Sequence, residues 1–164
     1  MCIRDRFKVH HPLAFYSAYF YRRSQKGGFD AVLMTHGKDA VVANIDAIEN
    51  NENATDKDED LLTTLEVAYE YYIRGFEFLP ISIYDSHATK FLIKDGKLLP
   101  PFVAISGLGE NAAWDLMRGR EGKTFLSVEE VAAACPKVSK THIQMLREAG
   151  AFGDLPDTSQ VSFF

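Results

Sequence analysis

The chain has 164 residues, 46% of them hydrophobic, and a formal charge of -5 from 18 Lys and Arg against 23 Asp and Glu. That is an ordinary globular make-up, long enough to bury a core, and no apolar run approaches the roughly 20 residues of a membrane span. Cys2 and Cys135 are too few for a disulfide framework and too far apart for a zinc site, which fits a reducing cytosol, and net acidity at first argues against a nucleic-acid partner.

The acid is concentrated. Residues 46–60 hold seven carboxylates and one base, Lys57, a local charge of -6 that leaves +1 for everything else. Asp56-x-Asp58-x-Asp60 resembles a calcium loop only superficially, because Leu61 stands where the sharp turn needs Gly and no Glu closes the set. A solvated loop with helix-capping acids at its end is the reading preferred.

In chain order, the apolar stretch at 13–21 is too short and aromatic for a signal peptide, and no small-residue cleavage site follows it. Pro12 instead opens a helix to about residue 23, and Gly27-Gly28 breaks it. A second helix is expected at 38–48, and a third at about 58–74, ended by Gly75. Helical spacing of Leu61, Leu62, Leu65, Ala68, Tyr69 and Tyr72 marks these aromatics as core. Residues 78–84, with Pro80, read as a short edge strand. Asp95-Gly96 between two short apolar runs reads as a small β-hairpin, stopped by Pro100-Pro101. Short helices follow to Gly150, then a tail. The fold class expected is mainly α (α+β).

Residues 105–113, ISGLGENAA, form the most informative stretch. Gly107 and Gly109 around Leu108, followed at once by a helical run, make the turn of a helix-hairpin-helix. Gly permits positive φ and close backbone approach, while the helix starting near Glu110 and Asn111 offers unpaired N–H groups and a positive dipole end. A DNA phosphate fits there without any base being read. Leu108 pins the turn to the core, and Arg118, Arg120 and Lys123 follow closely enough to supply further contacts to the DNA backbone. Pro100-Pro101 limits the preceding helix to one or two turns. An ordinary tight turn before a helix is the bland alternative.

Ser127-Val128-Glu129-Glu130 resembles a capping box and starts a second hairpin. Its first helix ends by Cys135-Pro136, and Ser139 caps the next. Lys137, Lys140 and Thr141 surround this second turn, which lacks glycines. The tail Gln160-Val161-Ser162-Phe163-Phe164 ends in two aromatics, which suits a peptide docking in a partner's groove; folding back on its own domain is the alternative. Trp114 reads as core. His36, His87 and His142 lack ligand spacing, and His10 and His11 read as turn packing before Pro12.

Together, FKVHHPLAFYSAYF, SHATKFLIKDGKLLPPFVAISGLGENAA, EGKTFLSVEEV, KVSKTHIQMLREAGAF and LPDTSQVSFF, in this order, resemble the C-terminal part of the bacterial PolC-type DNA polymerase III alpha subunits. The resemblance runs from Phe7 to the end. It implies four parts: a distal fingers segment at 7–98, a duplex-binding helix-hairpin-helix domain at 99–153, a sliding-clamp-binding tail at 154–164, and a non-native leader at 1–6. The family's tail usually reads Gln-Leu-Ser-Leu-Phe, so Val161 and Phe163 depart from it while keeping its apolar character.

The resemblance also implies a parent enzyme that joins nucleotides with magnesium, in a palm and a proofreading module expected to lie outside this chain. The segment itself is expected to need no cofactor. Its implied partners are duplex DNA, the sliding clamp and the remainder of the polymerase and replisome, in the cytoplasm at the nucleoid and with no membrane. The alternative is a stand-alone helix-hairpin-helix scaffold. Residues 99–147 carry six bases and five acids, so backbone N–H groups must supply much of any grip on DNA.

Overall fold

The computed structural model describes residues 2–159. It is mainly α, as expected: among the described residues there are eight α-helices and one two-stranded sheet. A single buried cluster runs from Tyr16 to Phe152, so both halves of the chain share one core.

The first helix, α1 (Ile3–His10), was not foreseen. It runs straight through position 6, where the sequence reading placed the edge of a foreign leader. His11 leaves helical geometry at φ -134° and ψ 59°, and Pro12 restarts the chain as the first residue of α2 (Pro12–Gln25). The one-turn α3 (Ala31–Met34) is capped by the Asp30 carboxylate, which accepts from the Val32 N–H at 2.9 Å. Then α4 (Lys38–Glu49) leads to α5 (Asp56–Ile73).

Helix α5 begins two residues before the expected start because Thr55 closes a reciprocal cap. Its hydroxyl accepts from the Asp58 N–H at 3.4 Å, and the Asp58 carboxylate accepts the Thr55 N–H at 2.8 Å. Those bonds from Thr55 hold the Asp58 carboxyl below its usual range. The acidic segment is thus partly helix-start chemistry: Asp56, Asp58 and Glu59 sit at the positive end of the dipole.

Aromatic rings join α2 and α5 to the middle of the chain. Tyr16, Phe20 and Tyr71 are fully buried, and the Tyr71 and Phe78 rings lie 4.6 Å apart. Tyr71 also spends its hydroxyl well, donating to the Glu77 carbonyl at 2.6 Å and accepting the Leu98 N–H at 3.3 Å. Burial pushes this phenol far above its usual value.

The expected edge strand at 78–84 does not form. Phe78 makes only an isolated parallel bridge to Leu98. Pro80 interrupts the ladder, and Ser82 turns the chain by accepting the Ser86 N–H at 3.0 Å. The β-hairpin is present: β1 (Leu92–Lys94) pairs antiparallel with β2 (Lys97–Leu99), with Ile93 opposite Leu98. Asp95 and Gly96 take φ of 53° and 73°, the double positive a two-residue turn demands. The expected domain edge after residue 98 falls inside β2. A 3-10 turn (Phe102–Ala104) and three helices complete the fold: α6 (Glu110–Arg120), α7 (Val128–Ala134) and α8 (Lys140–Glu148).

Candidate nucleic-acid interface

The first hairpin is the 3-10 turn, a glycine turn and α6. Pro100-Pro101 holds the leading element to that single turn. Gly107 has φ +89°, which an L side chain rarely adopts. Leu108 is buried beneath the turn, and its N–H donates to the Ile105 carbonyl at 3.1 Å. Gly109 is the N-cap at φ -70° and supplies no side chain to the helix start. No heavy atom lies within 4 Å of where its Cβ would stand, so this end of α6 opens onto space. The amides of Glu110 and Asn111 therefore meet no capping oxygen from Gly109.

That opening is not electrostatically simple. The turn lines a groove of about 510 Å³ whose far wall carries Asp30, Lys57 and Asp58. Both carboxylates already cap helices, but they remain acids facing the glycine turn. Burial raises the Asp30 carboxyl above its ordinary value, opposed by the N–H groups it accepts.

The second hairpin joins α7 to α8. Ser127 caps α7 by accepting the Glu130 N–H at 3.3 Å. The other arm of the expected capping box is displaced by one residue, because Glu130 accepts from the Leu126 N–H at 2.8 Å. Ser139 and His142 form a true reciprocal cap on α8, each side chain accepting the other's N–H at 3.3 Å. That occupies the His142 amide and leaves those of Lys140 and Thr141 at an exposed helix start. The Lys137 N–H donates inward to the nearly buried Asp115 carboxylate at 2.9 Å, fixing the second turn against α6. Ser139, Lys140 and Thr141 thus stand at one exposed helix start, with Lys137 exposed in the turn just before it.

Two contacts set the hairpins against each other. A Cβ on Gly107 would come within 2.9 Å of Met145 Cε on α8. A Cβ on Gly119 would stand 2.4 Å from Cys135 Sγ and 3.1 Å from the Ala134 carbonyl oxygen. Gly119 is therefore a close-approach residue where α6 crosses the end of α7. Sequence reasoning missed it, although a glycine inside a helix is itself a signal. Burial, then the nearby Asp115 charge, pushes the Cys135 thiol up to about 11, so it is a packing group.

The basic residues after the glycine turn divide. Arg120 donates to the Ile83 carbonyl at 3.0 Å and lies over the Phe102 ring, which commits it to structure. Arg118 sits about 12 Å along α6 from the helix start, eight residues at 1.5 Å each, and shares a separate groove with Lys123. Trp114 corrects the core expectation: it is 37% exposed in that same groove. Its long-range partner is His87, whose ring meets the indole edge to face at 5.4 Å.

Before the described residues end, the tail crosses the start of α7. The Pro156 and Asp157 carbonyls accept from Val128 and Glu129 at 2.9 and 3.2 Å, and Arg147 pairs with Asp157 at 2.5 Å. Gln160, Val161, Ser162, Phe163 and Phe164 lie outside the described residues. Near the start of the chain, Lys8 pairs with Glu70 at 2.5 Å and lies over Phe15, and His11 packs on Phe7. Among the described residues no group of three His, Cys, Asp or Glu could hold a metal ion, and no helix is long and apolar enough to cross a membrane.

Two consecutive hairpins, each ending in an exposed helix start, define the class. A helix-hairpin-helix motif model matches residues 75–160, more than half of the chain, and the chain belongs to that family. The particular kin are DNA polymerases. The chain is 40% identical over 158 residues to the DNA polymerase III PolC-type of Thermotoga maritima. It is 43% identical over 159 residues to the Bacillus cereus protein of that name, and 43% over 162 residues to that of Streptococcus agalactiae. These alignments cover 96% of this chain but 11% of each relative, so the chain spans about a ninth of their length. The resemblance read from the sequence is borne out.

Proposed function

We propose that this chain is the DNA-holding and clamp-tethering end of a PolC-type replicative polymerase. The observation that carries the reading is the pair of hairpins, packed through Gly107 and Gly119, that present two exposed helix starts. Gly107, Leu108, Gly109, Glu110 and Asn111 form the first phosphate cradle. Lys137, Ser139, Lys140 and Thr141 form the second. Amides and dipole ends hold phosphate oxygens of one duplex at two points, which positions the duplex without reading its sequence. Because Asp30 and Asp58 face the first cradle, the second, with its two lysines, contributes the larger share of binding.

The tail residues Gln160 to Phe164 extend this role by engaging the sliding clamp, Gln160 through its amide and Val161, Phe163 and Phe164 through apolar pockets. Two weak attachments, one to DNA and one to a ring that encircles it, raise the effective concentration of the enzyme at the primer end. Nucleotidyl transfer with magnesium belongs, on this reading, to the remainder of the polymerase. Magnesium-dependent primer extension by the 164-residue chain alone would contradict it.

The test is duplex binding by the full chain and by Gly109→Glu. The backbone at Gly109 suits any residue and its Cβ site is open, so the variant keeps its fold and changes only charge at the cradle. Affinity should fall about tenfold, the equivalent of one contact of about 1–2 kcal/mol. Unchanged affinity at low salt would remove the first hairpin from the interface.

A further inference from the structure

The far half of α6 and the loop after it form a groove of about 490 Å³ that the hairpins do not use. Tyr84, Trp114, Arg118, Arg120, Glu121 and Lys123 line it. Its aromatic wall is held in place. The Trp114 Nε1–H donates to Glu110 Oε1 at 3.2 Å, and His87 backs the ring. The Tyr84 hydroxyl bonds both the N–H and the carbonyl of Phe125 at 3.2 Å, and its ring stacks on the Phe125 ring. Even so, Trp114 is 37% exposed and Tyr84 42%.

The cations differ in the opposite way. Arg120 is tied down, whereas the Arg118 and Lys123 side chains are exposed and make no hydrogen bond or ion pair among the described residues. Three bases line the groove with Glu121, and Glu110 stands at the indole N–H, in a chain whose formal charge is -5.

Fixed, half-exposed aromatic rings beside uncommitted cations suit a ligand that carries both flat π-faces and phosphates. Bases inside a duplex have neighbours on both faces and offer none to a side chain; unpaired bases do. We propose that the Trp114–Arg118–Lys123 groove binds single-stranded DNA, with an unpaired base stacked on Trp114 and phosphates against Arg118 and Lys123. A strand passing the start of α6 covers the 12 Å to Arg118 in three to four nucleotides, at roughly 3.4 Å each along a strand. The groove meets the first cradle at the Glu110–Trp114 bond and otherwise stands on its own residues.

Trp114 is the sole tryptophan of the chain, so it reports on itself. An oligothymidylate of about ten nucleotides, titrated into the full chain at about 50 mM salt, should quench its fluorescence saturably. A relaxed circular duplex, which has no terminal base pairs, should leave the signal largely unchanged at equal nucleotide concentration, because its stacked bases offer no free face to the indole. Arg118→Glu combined with Lys123→Glu should weaken the quenching at least about tenfold. Lys140→Glu, in the second hairpin, should not alter it. Trp114→Ala, followed through a labelled oligothymidylate, should bind roughly 5- to 150-fold more weakly. These side chains are exposed, and circular dichroism checks that each variant is folded. Absence of quenching, equal quenching by the duplex, or quenching indifferent to the Arg118 and Lys123 changes would each overturn the proposal. Loss of duplex binding in Lys140→Glu with quenching intact separates this groove from the hairpin reading.

Discussion

Replacing Gly119 by Ala tests how closely the two hairpins are packed. In an open helix this change stabilises by about 1 kcal/mol, through the better helix propensity of Ala. Here the new methyl carbon would stand 2.4 Å from Cys135 Sγ, more than 1 Å inside the contact distance of about 3.5–4.0 Å between non-bonded carbons. Cys135 is buried, and the Ala134 carbonyl oxygen at 3.1 Å blocks the other side. Relief therefore needs movement of α6 against α7, an overpacking penalty of about 1–3 kcal/mol. With so short a contact the upper part of that range applies, and the net expectation is a loss of about 1–2 kcal/mol in urea unfolding. Cys135→Ala removes the sulfur, so the double variant should be at least about 1 kcal/mol more stable than the two single losses added together. A Gly119→Ala protein as stable as the parent, or strictly additive singles, would refute the close approach.

Two other outcomes are expected. The His87 Nδ1 accepts the Thr89 and Lys90 N–H groups at 3.0 and 3.1 Å, which requires a neutral ring. Burial first, then the Lys90 and Arg120 charges, holds its pKa below the usual value, so the unfolded chain binds this proton more readily. Stability should fall as pH drops below about 6.5, and His87→Asn, which keeps an acceptor without the titration, should flatten that part of a melting-temperature profile; an NMR titration of His87 at or above the ordinary value would contradict this. Deleting residues 160–164 should abolish capture of the chain by the sliding clamp in a pull-down and leave duplex affinity unchanged, whereas retained capture would place the tether elsewhere.

The features legible in the sequence are those whose cause is local. Pro12, Asp95-Gly96, the Gly107–Gly109 turn and Ser139 each act through their own backbone geometry or a partner three residues away, and each appears where expected. Those hidden depend on distant partners. Trp114 has the spacing of a core residue, yet it stands half-exposed in a groove shared with Tyr84, with His87 against its ring. Residues 78–84 alternate like a strand, but Pro80 and the Ser82–Ser86 turn leave only one bridge to Leu98. Gly119 looks like a helix defect until Cys135 is seen beneath it. The acid at 46–60 is legible as charge but not as position: its last turn, with Asp30, faces the glycine cradle, a juxtaposition of residues far apart in sequence.

The central claim is that two helix starts and their lysines hold duplex phosphates. It is tested most directly by the salt dependence of duplex binding, compared between the parent chain and a Lys137→Glu, Lys140→Glu variant. Each lost phosphate contact should reduce the slope of log affinity against log salt by about 0.9, so the variant should bind more weakly and lose up to about 1.8 from the slope, equally on unrelated duplex sequences. A variant with the parent's slope and affinity, or a parent chain that binds no duplex at low salt, would contradict the account.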